Sequence, residues 1–201
     1  MRRYNDYGIA ALIGFCIGWL ALFPEIDIGL HPTLALVLMS VIGFTLVVPL
    51  GLLWCGILGR KHCAIPEFGR FTVVGAMNTA IDFGTLNLFM FLSGVASGPF
   101  FIFAKTVAYA LANLNGYVFH KYWTYGDPTS SMRKQYPMFL GLSLIGAVIN
   151  VAITVLIVEF IAPPFGVSAP LWANAASLIG TAGLFMWNFV TYRTYVFPRR
   201  S

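Results

Sequence analysis

Of 201 residues, 59% are hydrophobic and only 9% are Asp, Glu, Lys or Arg, with a mean hydropathy of +0.81. A water-soluble domain carries about 25% charged residues and could not hide so much apolar surface, so a soluble globular class is excluded in favour of an integral membrane protein. The net charge of +5 sits at segment ends, which is a membrane pattern and not the footprint of a nucleic-acid binder. Cys16, Cys55 and Cys63 show no CxxC or Cys/His spacing, so no disulfide, metal or other cofactor is expected.

Tyr7 to Phe23 is an uncharged run at the short end for a crossing helix. Arg2 and Arg3 before it resemble the start of a signal peptide, but FPEIDIG offers no cleavage site, so a retained helix is expected. Its Gly14-Phe-Cys-Ile-Gly18 has GxxxG spacing, which suits close helix contact within the chain or in a homodimer. PEIDIGLHP (24–32) reads as an acidic turn, with Pro32 opening a second helix that runs to Leu58 with a kink at Pro49. Arg60, Lys61 and His62 end it. Four more helices are expected over about Phe68–Ser93, Phe100–His120, Tyr136–Phe160 and Leu171–Tyr192. GVASG (94–98), GDPTSSMRK (126–134) and APPFGVSAP (162–170) connect them.

This makes an all-α integral membrane protein with six transmembrane helices, the last four forming a bundle. Residues 1–64 form an accessory N-terminal pair, and 65–201 form the four-helix domain. With six crossings, eleven of the twelve basic residues fall on one side, so both termini are expected on the cytoplasmic face of the plasma (inner) membrane. Tyr117, Tyr122, Trp123, Tyr125, Trp187, Tyr192 and Tyr195 gather at that boundary as an interfacial belt. A shift of 72 residues lays YVFHKYWTY (117–125) on FVTYRTYVF (189–197) and Asn78 on Asn150, which predicts a parallel two-helix repeat.

Polar residues recur at helical spacing in the last four segments. Gly75, Asn78, Asp82 and Thr85 share one face. Lys105, Tyr109, Asn113, Gly116 and His120 share another, and Ser143, Ala147, Asn150 and Thr154 form a milder third. In the sixth segment Asn174, Ser177, Thr181, Asn188 and Tyr192 line up. A charge in hydrocarbon is costly and is kept where it meets a partner or a cavity. At 1.5 Å per residue, Asp82 and Lys105 fall within about a turn of each other. A pair lining a substrate path, a structural pair fixing helix register, and no contact at all remain open. Asn78, Asp82, Lys105, Tyr109, Asn113, Asn150 and Asn188 are the candidate path. Arg70, His120, Lys121, Trp123 and Arg193 are a candidate headgroup rim, where cations meet phosphate and aromatics flank a lipid, although topology anchors would look similar. No Ser-His-Asp set, phosphate loop or HExxH is present, so an enzyme is not expected.

FGRFTVVGAMNTAIDFGTLNLFMF (68–91), KTVAYALANLNGYVFHKYWTYG (105–126) and WNFVTYRTYVF (187–197) resemble the GtrA-like family of small membrane proteins, over about residues 66–198. Phe68, Arg70, Phe71, Gly75, Asn78, Thr79 and Asp82, together with the WTY ending, carry the likeness. The resemblance implies a four-helix membrane unit from cell-surface polysaccharide pathways such as O-antigen glucosylation, teichoic-acid decoration and arabinogalactan assembly. It implies transbilayer movement (flipping) of a polyprenyl-phosphate-linked monosaccharide to the outer leaflet, with a membrane glycosyltransferase as partner. Where the family has an Asn-Arg pair before the tryptophan, this chain has His120 and Lys121 with Tyr122 intervening, which keeps a cation but loses the bidentate fork. A non-transporting subunit that recruits or stabilises a glycosyltransferase, and a small-solute or ion transporter, are the competing expectations.

Overall fold

The computed structural model describes residues 2–20, 22, 33–60, 64–94, 98–127, 129–164 and 169–198, and the described secondary structure is helical. The helices are α1 (Arg2–Leu20), α2 (Leu34–Leu58), α3 (Ala64–Ser93), α4 (Gly98–Phe119), α5 (Met132–Phe160) and α6 (Ala169–Thr191). α4 runs on into a π-helical turn, His120–Thr124, and α6 into another, Tyr192–Val196. The chain divides into two compact units, Met1–Gly126 and Asp127–Ser201.

In the first unit α1 packs on α2 and α3, α2 on α3, and α3 on α4. Thr33, in extended conformation, caps α2 by accepting the Leu36 N–H at 3.3 Å, and Pro49 lies inside the helix. The GxxxG spacing of α1 is spent within the chain. A Cβ on Gly14 would collide with the Phe44 carbonyl, and one on Gly18 would lie 2.6 Å from the Val41 Cα. Ser40 Oγ then donates to the Gly18 carbonyl at 3.0 Å, a bond open only to backbones this close. Between α3 and α4 the packed row is Ala104, Ala108 and Ala112, with Leu86, Phe89 and Met90 against its upper part. Small side chains at four-residue spacing bring the helix axes near enough for polar groups beside the row to meet.

The second unit is a hairpin of α5 and α6. Trp187 Nε1 donates to the Leu142 carbonyl at 3.1 Å, and Asn150 Nδ2 donates to Thr181 Oγ1 at 3.2 Å. Tyr192 and Phe139 have ring centroids 4.4 Å apart, and the Tyr192 hydroxyl shares a 2.5 Å bond with Ser143 Oγ. Gln135 ties the end of the chain down, its Nε2 donating to the Val196 carbonyl at 2.9 Å and to Asp127 Oδ2 at 2.7 Å.

The expectation of six transmembrane helices is overturned. Among the described residues six helices form, but two stretches, Leu34–Leu58 and Met132–Ile157, are long and apolar enough to cross a bilayer. The apolar run of α1, Asn5–Leu20, is short of the roughly 20 residues a crossing takes. In α3 and α4 the cause lies in the stripes themselves. Asn78, Asp82 and Asn87, and Lys105, Asn113 and Asn115, break up the apolar run. The bundle of the last four helices and the two-helix repeat are not seen either: α3 and α4 group with α1 and α2, and what recurs is a single π turn. The turn 24–32 lies outside the described residues, as do the side chains of Thr154, Asn174 and Ser177. On α2, Leu34 is 75% and Met39 77% exposed, an unpartnered apolar face that suits lipid. These two apolar helices fit a multi-pass membrane protein.

Candidate functional site

Asp82 on α3 and Lys105 on α4 do pair, with Lys105 Nζ donating to Asp82 Oδ2 at 2.5 Å. The ammonium also sits 5.6 Å from the centre of the Phe83 ring. The other carboxylate oxygen, Oδ1, is buried without a hydrogen-bond partner among the described residues. A carboxylate holds about four acceptor positions, so this oxygen keeps capacity for a donor the unit does not supply.

About one turn from Asp82 along α3, Asn78 Oδ1 accepts from Asn115 Nδ2 at 2.9 Å. Gly116 makes this possible, because a Cβ there would collide with the Asn78 amide. Asn115 escaped the sequence reading, which stepped from Lys105 through Tyr109 to Asn113. The packed row is 104-108-112, one place off that stripe, so the stripe flanks the interface instead of facing into it. Tyr109 is accordingly 40% exposed, and Asn113 keeps a buried Oδ1 with no hydrogen-bond partner. The one available signal was Gly116, a small residue one position after Asn115.

Arg70 and Trp123 converge, but on a residue the sequence did not single out. Arg70 Nη2 donates to Asp6 Oδ2 at 2.9 Å, and Trp123 Nε1 donates to Asp6 Oδ1 at 3.1 Å. Asp6 belongs to α1, more than sixty residues away in the chain, and nothing local marks it as their acceptor. The two ion-paired side chains are half-buried.

His120 and Lys121 lie inside the first unit, 3% and 2% exposed. The imidazole stacks on Phe71 with centroids 4.9 Å apart, and its Nδ1 bonds Thr124 Oγ1 at 3.2 Å. Burial lowers its pKa from 6.5 to about 3, so it is neutral near pH 7. Lys121 Nζ lies 5.9 Å from the rings of both Tyr117 and Tyr122. A π turn explains how adjacent residues both turn inward, since its wider coil, bonded i to i+5, leaves one extra residue in the turn to place.

In the second unit Asn150 bonds Thr181, and Asn188 packs on Gly146, where a Cβ would meet Asn188 Oδ1 at 2.6 Å. That Oδ1 has no hydrogen-bond partner among the described residues. Arg193 lines a groove of about 390 Å³ with Phe189, Val190 and Thr194, a cation beside an apolar wall. Another cavity, of about 130 Å³, lies in the first unit beside Asp6, Arg60 and Arg70. Neither is lined by Asn78, Asp82 or Lys105.

A helical, largely apolar chain with charged and amide pairs between its helices defines a polytopic membrane domain. The family model described as "GtrA/DPMS, transmembrane domain" matches residues 70–197, and the chain belongs to this family. The match takes in α4 to α6 and most of α3, while α1, α2 and Asp6 precede it. No curated protein and no solved structure gave a match.

Proposed function

We propose that the chain moves a polyprenyl-phosphate-linked monosaccharide from the cytoplasmic to the outer leaflet, for glycosylation of cell-surface polysaccharide. The reading rests on family membership. The observation in this chain that carries it is the Asp82–Lys105 pair, a charged contact on apolar helices whose carboxylate keeps one oxygen unfilled. Asn113 and Asn188 have similarly unfilled amide oxygens. Each accepts hydrogen bonds, and sugar hydroxyls are donors that would otherwise lose their water. Arg193 beside the apolar wall of its groove suits a phosphate whose prenyl tail stays in lipid.

In this reading the chain is a carrier working beside a membrane glycosyltransferase, without chemistry or cofactor of its own. In this reading both ends face the cytoplasm of the inner membrane, because Arg2, Arg3, Arg199 and Arg200 flank the apolar segments in the sequence and basic flanks are held on that side.

One observation favours the recruiting-subunit alternative. Asn78 and Asp82 are bonded to α4 and line neither cavity, as they would if their role were to fasten two helices. Purified protein in vesicles holding a labelled polyprenyl-phosphate sugar separates the two. Outer-leaflet accessibility of the label should rise with the intact chain and fall about tenfold or more in Asp82→Asn. Equal rates in the intact chain, the variant and empty vesicles would leave the recruiting role standing.

A further inference from the structure

Asp6, Tyr7, Leu52, Gly56, Gly59, Arg60, Pro66 and Arg70 enclose the cavity of about 130 Å³ within the first unit. At ~30 Å³ per water this is room for about four waters, enough for one phosphate group and too little for a sugar as well. Its charge is lopsided, with Arg60 and Arg70 against the single carboxylate of Asp6 among the described lining residues. Arg70 spends Nη2 on Asp6, while its Nε is buried with no hydrogen-bond partner. A buried guanidinium N–H left unbonded is costly and asks for an acceptor. Tyr7 and Gly56 line it together, and a Cβ at Gly56 would stand 3.6 Å from the tyrosine hydroxyl.

From these positions we infer that the cavity is a phosphate-group site in which Asp6 is the resident counter-ion. An arriving phosphate takes the Arg70 fork, bonds Arg60 and the Tyr7 hydroxyl, and displaces the Asp6 carboxylate. Guanidinium pairs suit the tetrahedral oxygens of a phosphate in a way one carboxylate does not match. Because Asp6 also accepts from Trp123 Nε1, displacement frees the indole of its bond. The other lining residues precede the family match, which begins at Arg70, so the site joins the N-terminal helices to the family domain. Its use for a lipid headgroup rests on the function proposed above, whereas the anion site does not.

The experiment uses the full chain in nanodiscs, titrated with inorganic phosphate and separately with nanodiscs containing dodecyl phosphate, followed by tryptophan emission and calorimetry. Phosphate should shift the emission saturably, and Trp123→Phe should abolish that shift while leaving the heat of binding. Arg60→Gln, which leaves the Asp6–Arg70 pair in place, should weaken binding about tenfold. Asp6→Asn should tighten it about fivefold by removing the competitor. Response to both probes marks a general phosphate site, and response to dodecyl phosphate alone marks a lipid headgroup site. Unchanged affinity in both Arg60→Gln and Asp6→Asn, or an emission shift that survives Trp123→Phe, overturns the inference. Tight phosphate binding without sugar-lipid transport would sink the carrier reading and leave this site intact.

Discussion

Residues 1–126 and 127–201 each place polar side chains on apolar helices, and they satisfy them by different chemistry. In the first unit two of the bonds between helices run between charges, Lys105 to Asp82 and Arg70 to Asp6, beside neutral ones such as Asn115 to Asn78. In the second, α5 and α6 are joined by neutral groups: Asn150 to Thr181, Trp187 to the Leu142 carbonyl, and Tyr192 to Ser143. Both units finish on a five-residue π turn, yet the first turn buries an imidazole and an ammonium and the second a phenol. The same backbone device therefore sits in two electrostatic settings. Loss of a charge between helices, and pH, should act on the stability of the first unit and pass the second by.

The largest effect expected is from Lys105→Met, which strands the Asp82 carboxylate. Breaking a fully buried pair costs roughly 3–5 kcal/mol. Here Lys105 is 43% exposed, so about 2 kcal/mol is expected, read as a loss of thermal stability in detergent. The double variant with Asp82→Leu should recover most of it. A single variant as stable as the intact chain would break the comparison.

A drop of about one pH unit below 6.5 should come next. His120 titrates near 6.5 when unfolded and at about 3 when folded. Between those values the unfolded chain takes up a proton that the folded chain refuses. Stability is thus complete above pH 6.5 and falls as pH drops toward 3, by at most about 1.4 kcal/mol per pH unit. His120→Phe should flatten that slope, whereas Tyr192→Phe in the other π turn should leave it unaltered. The smallest effect is Ser143→Ala. It removes the Ser143 bond to the buried Tyr192 hydroxyl, at a cost of about 1 kcal/mol with no pH dependence.

Much of the chain could be read before its structure. Helix positions followed the apolar runs, and Gly14 and Gly18 announced a close contact without saying with what. The Asp82–Lys105 contact was open to estimate because two charges on consecutive helices are restricted in depth by rise per residue alone. Rotation about the axis was harder. A polar stripe shows which residues share a face, but the packed face of α4 is set by the alanines at 104, 108 and 112. The stripe was therefore placed one residue out, and Asn115 was passed over. Asp6 was invisible for another reason, since its partners are brought to it by the fold and no spacing encodes them. The count of crossings failed where polar residues were read as interruptions in spanning helices when they dilute those helices below a span.

The two π turns also carry slack. Each holds a residue beyond what ordinary pitch requires, so deleting one residue within 120–124 or 192–196 can be absorbed by tightening to α geometry. The same deletion in mid-α3 would rotate everything after it by about 100° and scatter Asn78 from Asn115 or Asp82 from Lys105. Length variation should therefore be tolerated at the ends of α4 and α6 and rejected between Asn78 and Asp82.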